Sequence, residues 1–333
     1  MGVPLTEFEI SRLLETDYGI DCRLVRRLDL EASGAEGFVL DSHGTALFLK
    51  PFPNYLPVAQ SVQVAGVHAA AVELGAPLAP LVPTRCGEVA IVRDCFAGTL
   101  QHWLPGDPAQ CGLPAEALAA LRAIDAFQGS TNSLPIAGWK GSPFTCLPDT
   151  PAALANLLHR LEILAAAVQP NGEVLSKSLA REIDAAIAAV AWTELSTGWL
   201  HGDPGPDNVI LRGNSARLVD TDDLRPGQRL WDPVRMVAEC AVICPPCETL
   251  AFTLHRQTLA VATTCLQEEF RLNPAERAGW RALLRLAFFS TVLTRTNLDW
   301  ELLKFCPPAL SHNEAAVHEI VCSILRLMRE ELP

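Results

Sequence analysis

The residues best suited to do chemistry lie in a short stretch at 200–211, which reads LHGDPGPDNVIL. It holds Asp203 and Asn208 on a loop that two prolines stiffen, and a second stretch at 216–223, ARLVDTDD, contributes Asp220. A turn between the two apolar stretches would let them pair as a hairpin. That pairing places an amide oxygen and a carboxylate at the open end of the hairpin. Hard oxygen ligands of this kind suit Mg²⁺, which takes few protein ligands and leaves room for phosphates.

Asp203 then remains as a base or as an orienting group for a hydroxyl. Transfer of a phosphoryl group also needs a cation on the phosphates. The chain has four lysines, and the one in its first hundred residues is Lys50, at the end of the apolar stretch TALFLK. A compact ammonium there could reach α- and β-phosphates, whereas the alternative is a strand-end lysine in solvent. The hairpin motif favours the phosphate-binding interpretation.

Two halves of different character must position these residues. A capping box at Thr6 and Glu9 predicts a short helix to about Thr16. Strands are predicted at 22–28, 37–41, 45–50, 81–85, 88–94 and 99–104, with a helix at 57–74. After a turn at 105–108, helices are predicted at 116–129, 151–168, 176–191, 235–244, 249–270, 274–297 and 313–331. The predicted fold class is α+β, with a small strand-rich N-terminal lobe, residues 1–103, and a larger helical lobe, residues 104–333, that contains the hairpin.

Composition and charge narrow the class of protein. Hydrophobic residues make up 49% of the 333 residues and charged residues 19%, as in a globular protein. We find no stretch apolar enough to span a membrane and no secretory signal, so we expect a cytoplasmic protein without a membrane partner. A net charge of −12 argues against nucleic acid as a partner and is compatible with a cationic small substrate. The 11 cysteines are scattered, and the pair Cys244-Pro-Pro-Cys247 lacks the further ligands of a zinc site, so a helix-ending turn is preferred there.

The order of these features resembles that of the aminoglycoside phosphotransferase and choline kinase superfamily, which is related to the protein kinases. H-G-D-x-x-x-x-N, followed later by two apolar residues and an aspartate, resembles that family's catalytic hairpin, and LVDTDDLRPGQRLWDPVRMV its metal-binding segment. DYGIDCRLVRRL resembles its opening strand, ELGAPLAPLVPT the segment after its first-lobe helix, and QHWLPG its interlobe hinge. The resemblance covers roughly the first 240 residues and implies a bilobal protein-kinase-like fold.

The resemblance also implies an activity: ATP- and Mg²⁺-dependent phosphorylation of a hydroxyl group on a small molecule. By this resemblance Asp203 is the catalytic base, and Asn208 and Asp220 are the metal ligands. By the same resemblance Lys50 would bind the phosphates. The acceptor stays open among aminoglycosides, other antibiotics, amino alcohols, amino acids and sugars, and a cationic acceptor suits the acidity of the chain.

Further residues receive supporting roles from the same resemblance. His201 would brace the catalytic loop, and Asp232 would hold the backbone of that loop from the next helix. Asp222 and Asp223 would contact the substrate or cap a turn. The adenine would bind to the backbone of the hinge around three residues: Gln101, Trp103 and Leu104.

Two features depart from the family's pattern. The glycine loop, EASGAEGF, falls short of the G-x-G-x-x-G of protein kinases. The helix at 57–74 has no glutamate where one would pair with Lys50, because Ala65, Gly66 and His68 occupy the expected positions. Either Lys50 has another partner or the lobe is built loosely. A nucleotide-binding pseudokinase that acts as a regulatory partner is therefore the alternative function, while metal-assisted hydrolysis would leave Lys50 and the hinge unexplained.

Overall fold

The computed structural model describes residues 5–30, 35–94, 96–136, 172–243 and 253–295, with the single residues 139, 151, 324 and 326. The strand-rich half contains α1 (Glu7–Asp17), β1 (Arg23–Leu30), β2 (Ala35–Ser42), β3 (Thr45–Pro51), α2 (Val58–Glu73), β4 (Ile91–Arg93) and β5 (Phe96–His102). The helical half contains β6 (Asp107–Pro108), α3 (Pro114–Thr131), α4 (Gly172–Ala188), β7 (Thr197–Leu200), β8 (Val209–Arg212), β9 (Ser215–Leu218), β10 (Arg225–Gln228), α5 (Trp231–Ala241), β11 (Val242–Ile243), β12 (Thr253–Leu254), α6 (Arg256–Glu268) and α7 (Pro274–Arg295). The predicted α+β class, with a strand-rich half before a helical half, is confirmed.

The first half is built on one antiparallel sheet in the order β1-β2-β3-β5-β4. The capping box predicted at Thr6 is present and begins α1, which packs its apolar side on one face of the sheet. Leu47 and Leu49 of β3 are buried in that contact. Since side chains alternate along a strand, Phe48 and Lys50 point to the opposite face. The alternation along β3 therefore places the Lys50 side chain on the face of the sheet opposite α1.

The second half is organised around α5, whose residues are all buried. A helix that is buried on every side must be surrounded by other elements, and α5 packs against α3, α6 and α7. Its buried Arg235 and Glu239 form an ion pair at 2.8 Å. Hydroxyl groups of α7 complete their hydrogen bonds, since Ser290 accepts from Arg235 and Thr291 donates to Glu239. The pair is therefore satisfied inside the core, as a buried charge must be.

Helix α2 belongs to both halves. Its Val64 and Ala71 are buried in the core of the helical half and not in the core beneath α1. Just after α2, Leu78 forms a parallel bridge with Leu218 of β9, whose N–H donates to the carbonyl oxygen of Pro77 at 2.7 Å. The boundary predicted at residues 103 and 104 is not decided by these contacts and stays a prediction.

Several predicted elements differ from the structure in extent. In place of the strand at 81–85 there is a single bridge from Leu81 to Gln101, because Pro80 before this segment and Pro83 within it cannot donate to a ladder. Helix α5 begins at Trp231 instead of 235, since Pro233 is tolerated in a first turn. Helix α6 begins at Arg256 instead of 249, with His255 as its cap. The helices predicted at 151–168 and 313–331 and the two cysteines at 244 and 247 lie outside the described residues, except for the helical positions 151, 324 and 326. Across the described ranges, every helix is too short or too polar to cross a membrane.

Candidate active site

The catalytic loop connects β7 to β8 and is held from below by α5. Asp232 is fully buried, and its carboxylate accepts from the backbone N–H of His201 at 2.6 Å and of Gly202 at 3.3 Å. Gly202 has a φ of 90°, and a Cβ at this position would lie 2.1 Å from the carbonyl oxygen of Asp223. Only glycine fits this close approach, so the loop and the segment that carries Asp223 are fixed against one another.

His201 ties the catalytic loop to the strand that leads to Asp220. Its Nε2 lies 2.9 Å from the carbonyl oxygen of Val219. Burial lowers the pKa of His201 to about 4, so the ring is neutral at pH 7. A carbonyl oxygen only accepts, and Nε2 therefore carries the hydrogen and donates it.

Asp203 and Asn208 meet within this loop. Asn208 Nδ2 donates to the backbone oxygen of Asp203 at 3.0 Å and to its Oδ2 at 3.1 Å. With Nδ2 used in this way, Oδ1 of Asn208 is the atom left to act as a ligand. Burial raises the pKa of Asp203 to about 7, although the charge of Arg235 opposes the rise. A carboxyl group with a pKa near neutrality can take up a proton at physiological pH.

Asp220 lies at the open end of the hairpin formed by β8 and β9, as predicted from the sequence. Val219 N–H donates to the backbone oxygen of Asn208 at 2.9 Å, which brings the two predicted metal ligands to the same end. Asp220 has a φ of 60°, a left-handed conformation that is uncommon for a residue with a Cβ. Its side chain is 50% exposed, so the carboxylate is accessible from the cleft.

Lys50 has two partners, both of them carboxylates of this turn. Its Nζ lies 2.7 Å from Oδ1 of Asp220 and 2.8 Å from Oδ1 of Asp222. The lysine side chain is 12% exposed. Burial alone would lower the pKa of Lys50, but the two carboxylates outweigh it and raise the pKa above its usual range. The shielding of the Asp220 carboxylate by surrounding protein acts to raise its pKa although half of the side chain is exposed, and the charge of Lys50 outweighs this effect and holds the pKa low. Lys50 therefore needs no glutamate from α2.

Asp222 and Asp223, the two acidic residues that follow Asp220 in the turn, lie in different surroundings. Asp222 lies on Lys50, and burial raises its pKa to about 7 against the opposing charge of the lysine. Burial also raises the pKa of Asp223, against the charge of Arg225. Arg225 donates to the backbone oxygen of Asp223 at 3.0 Å. Contact of either side chain with an acceptor stays a prediction.

Much of the backbone of the predicted hinge, which includes the end of β5, is already used in hydrogen bonds. Gln101 pairs with Phe48 across β3 and β5. The N–H of Trp103 donates to the carbonyl oxygen of Ala46 at 3.0 Å. Of the three predicted hinge residues, Leu104 is the one whose amide these contacts leave unused.

Sequence reasoning missed aromatic side chains beside the hinge. Phe48 lies two residues before Lys50 and on the same face of β3, and its ring meets that of Trp103 edge to face, with centroids 5.7 Å apart. The guanidinium of Arg26 lies 5.3 Å from the centroid of the Trp103 ring. Phe48 could have been found from the alternation of TALFLK. Together these groups form an aromatic surface next to the predicted base-binding hinge.

The enclosed space near Lys50 is small. A cavity of about 20 Å³ lies between α2 and the sheet, bordered by Lys50, Asp220 and Asp222. This is far below the 300–1,000 Å³ of a typical ligand pocket, so the cavity by itself is too small to hold a nucleotide. A larger cavity of about 540 Å³, bordered by Asp125, Arg229 and Glu276, contains none of the predicted site residues.

The residues at the open end of the hairpin fit a divalent cation. Within the described ranges, no three His, Cys, Asp or Glu side chains are grouped so as to bind a metal by themselves. Mg²⁺ does not need such a group, because it is usually held by one or two carboxylates together with phosphates and water. The accessible carboxylate of Asp220 and the free Oδ1 of Asn208 match that requirement.

Comparisons with known proteins agree with this geometry. The sequence model of the Phosphotransferase enzyme family matches residues 25–256. No protein of curated function matches the chain. Among solved structures, an aminoglycoside phosphotransferase from Alicyclobacillus acidocaldarius is 17% identical, with a TM-score of 0.63 over 99% of this chain and 97% of that one. A microcompartment-associated aminopropanol kinase is 13% identical, with a TM-score of 0.65 over 96% of this chain and 95% of that one.

A third similar structure is the amicoumacin kinase hAmiN in complex with AMP-PNP, Ca²⁺ and Ami, which is 14% identical with a TM-score of 0.59 over 99% of this chain and 95% of that one. At these identities the structures establish a shared fold, the protein-kinase-like fold that the sequence predicted. The family match spans the sheet, the hinge, the catalytic loop and α5. The chain therefore belongs to the Phosphotransferase enzyme family and is a small-molecule phosphotransferase.

Proposed function

We propose that the protein transfers the γ-phosphoryl group of ATP, with Mg²⁺, to a hydroxyl group of a small molecule. The observation that carries the proposal is the meeting of three groups in one cleft: a carboxyl with a pKa near 7 at Asp203, an accessible carboxylate at Asp220, and the Lys50 ammonium beside it. Phosphoryl transfer depends on positioning and on charge stabilisation, and these groups supply both.

Each residue has a task in this proposal. Asp203 orients the acceptor hydroxyl and takes its proton. Asn208 and Asp220 would hold Mg²⁺, which when bound offsets the negative charge of the phosphates. Lys50 donates to phosphate oxygens from the floor of the cleft. The amide of Leu104 and the rings beside it would receive the base.

The alternative, a pseudokinase, is disfavoured by the same geometry. The cleft contains all four residues that the reaction needs, namely Asp203, Asn208, Asp220 and Lys50. In place of a glutamate from α2, Lys50 pairs with Asp220 and Asp222. A protein that only bound nucleotide would not need Asp203. We place the activity in the cytoplasm, where ATP is supplied, and we retain residues 1–103 and 104–333 as the two lobes.

We propose that the acceptor carries an amine or guanidine, as in an antibiotic or amino alcohol. From Pro105 onward the chain holds 26 of its 38 acidic residues and 19 of its 26 basic ones. A cleft in an acidic lobe attracts cations by long-range steering and by direct contact. The kinases of similar fold are named for amicoumacin and aminopropanol, which supports this class of acceptor.

The proposal is tested by release of ADP from ATP, or of GDP from GTP, in the presence of a panel of hydroxylated compounds, with Mg²⁺ or with excess EDTA. We expect stimulation by at least one acceptor, dependent on Mg²⁺ and lost in Asp203→Asn. Release of ADP that no acceptor stimulates, at the same rate in Asp203→Asn, would contradict the transferase function.

The charge of the acceptor is tested separately. Apparent affinity for a cationic acceptor should fall as salt rises, since the Debye length shrinks from about 10 Å at 0.1 M to about 3 Å at 1 M. It should fall further in an Asp222→Asn, Asp223→Asn double variant, in which nucleotide affinity serves as the control. A neutral or anionic best acceptor would overturn the charge argument and leave the phosphotransferase function intact.

A further inference from the structure

His68 occupies one of the α2 positions from which a glutamate would pair with Lys50, and it makes different contacts. Its side chain is 5% exposed. Nε2 lies 2.7 Å from the carbonyl oxygen of Ala79, and Nδ1 lies 2.8 Å from Oγ1 of Thr221. Burial lowers the pKa of His68 to about 4, so the neutral ring carries one N–H at pH 7. Because a carbonyl oxygen only accepts, Nε2 donates to Ala79 and Nδ1 accepts from the hydroxyl of Thr221.

Thr221 lies between Asp220 and Asp222, the two carboxylates that contact Lys50. The left-handed backbone of Asp220 persists only where neighbouring groups hold it. The turn is held from β3 by the lysine ammonium and from α2 by the ring of His68. We propose that His68 is a positioning residue that acts through Thr221 to keep Asp220 in the conformation that presents its carboxylate to the divalent cation of the nucleotide. This inference rests on the proposed function.

A buried histidine with both nitrogens bonded can also serve only to stabilise a core. The two roles differ in what they predict for the metal. A core role lowers stability and leaves the benefit of Mg²⁺ for nucleotide binding unchanged. A positioning role weakens binding of the metal–nucleotide complex and leaves metal-free binding unchanged. Partners that orient metal ligands typically change metal affinity by about 10- to 100-fold when they are removed.

The main experiment compares three variants by calorimetric titration with AMP-PNP, with and without Mg²⁺. Thr221→Val keeps the shape of the side chain and removes the hydroxyl, so it should bind Mg²⁺·AMP-PNP at least about tenfold more weakly than the wild type. Thr221→Ser keeps the hydroxyl and should remain within about twofold of the wild type. Thr263→Val makes the same change at a buried hydroxyl of α6, which bonds the backbone of its own helix, and serves as the matched control.

A double-variant cycle tests whether the effect passes through His68. In a His68→Leu background the hydroxyl has lost its partner, so Thr221→Val should change Mg²⁺·AMP-PNP affinity by less than about twofold. A full effect in that background would overturn the inference. If His68→Leu does not fold, the titrations at Thr221 decide instead: weaker binding of Mg²⁺·AMP-PNP in Thr221→Val but not in Thr221→Ser supports the inference, and equal affinities in the two variants overturn it.

The result also separates this inference from the proposed function. If the wild type binds AMP-PNP equally well with and without Mg²⁺, the proposed function fails and takes the inference with it. If Mg²⁺ strengthens binding equally in the wild type and Thr221→Val, the proposed function survives and the role of His68 is refuted.

Discussion

Replacement of Asp232 by asparagine tests whether the catalytic loop is held by a buried charge. The carboxylate accepts two backbone N–H groups, from His201 at 2.6 Å and from Gly202 at 3.3 Å, and it is fully buried. Asparagine has nearly the same shape. Its amide oxygen can keep the shorter bond, but its NH₂ then faces the N–H of Gly202, donor against donor.

The size of the effect follows from these contacts. A hydrogen bond to a charged group contributes about 1.5–3 kcal/mol, and an unsatisfied buried donor costs about 1–3 kcal/mol. The bond to Gly202 is long, so the lower ends of both ranges apply. We expect Asp232→Asn to lower the free energy of unfolding by about 2–3 kcal/mol. Turnover should fall as well, because the loop that carries Asp203 loses its support.

Urea unfolding followed by circular dichroism, extrapolated to water, measures the change in stability. Asp184→Asn is the matched control, since Asp184 is exposed on α4 and should change stability by less than about 0.5 kcal/mol. An Asp232→Asn variant as stable as this control, with wild-type turnover, would refute the role that we assign to the buried carboxylate.

Three further predictions concern groups of the same site. Asp203→Asn should lower turnover by about 10²–10⁴-fold in the ADP-release assay and leave nucleotide affinity nearly unchanged; full activity would remove Asp203 from its role. Asp220→Ala should abolish the Mg²⁺ dependence of nucleotide binding, measured by titration, and retain the helical circular dichroism signal; unchanged Mg²⁺ dependence would place the metal elsewhere. The folded pKa of His201 is about 4, against 6.5 in a model compound, so the unfolded chain protonates first as pH falls from 6.5 to 4. The stability advantage of the wild type over His201→Gln should therefore shrink by about 3 kcal/mol over that range, at 1.4 kcal/mol per pKa unit, and a pH-independent advantage in urea unfolding would contradict it. The comparison with a variant is needed because Asp203, whose pKa is raised, titrates in the opposite sense between pH 3.8 and 7.

The fold and the centre of the site could be predicted because their signals are local. Alternation in TALFLK directs Lys50 to one face of β3, and the apolar stretches on either side of Asn214 could pair only as a hairpin. The partner of Lys50 could not be predicted in this way. Asp220 and Asp222 are about 170 residues away from it in sequence, and their contact with it depends on how the sheet sits over the hairpin.

The start of helix α5 and the role of His68 could not be predicted from the sequence either. The sequence predicts a start at 235, whereas the helix begins four residues earlier at Trp231 and accommodates Pro233 in its first turn. The sequence marked His68 only as one of the residues at the positions expected for a glutamate and gave it no role, because a single histidine in an alanine-rich helix forms no pattern. The role proposed for His68 depends on the fold, which brings its Nδ1 to 2.8 Å from Oγ1 of Thr221.

The shared position of α2 has a consequence for control of the enzyme. A helix that switches an enzyme on and off must have two positions in which it packs about equally well. Here Val64 and Ala71 are buried in the core of the opposite half, and the segment that follows is paired with β9 through Leu78 and Leu218. An outward movement of α2 would both expose that apolar surface and break the bridge between Leu78 and Leu218. We therefore expect α2 to keep one position, so that an outward movement of this helix is not a means of switching the enzyme.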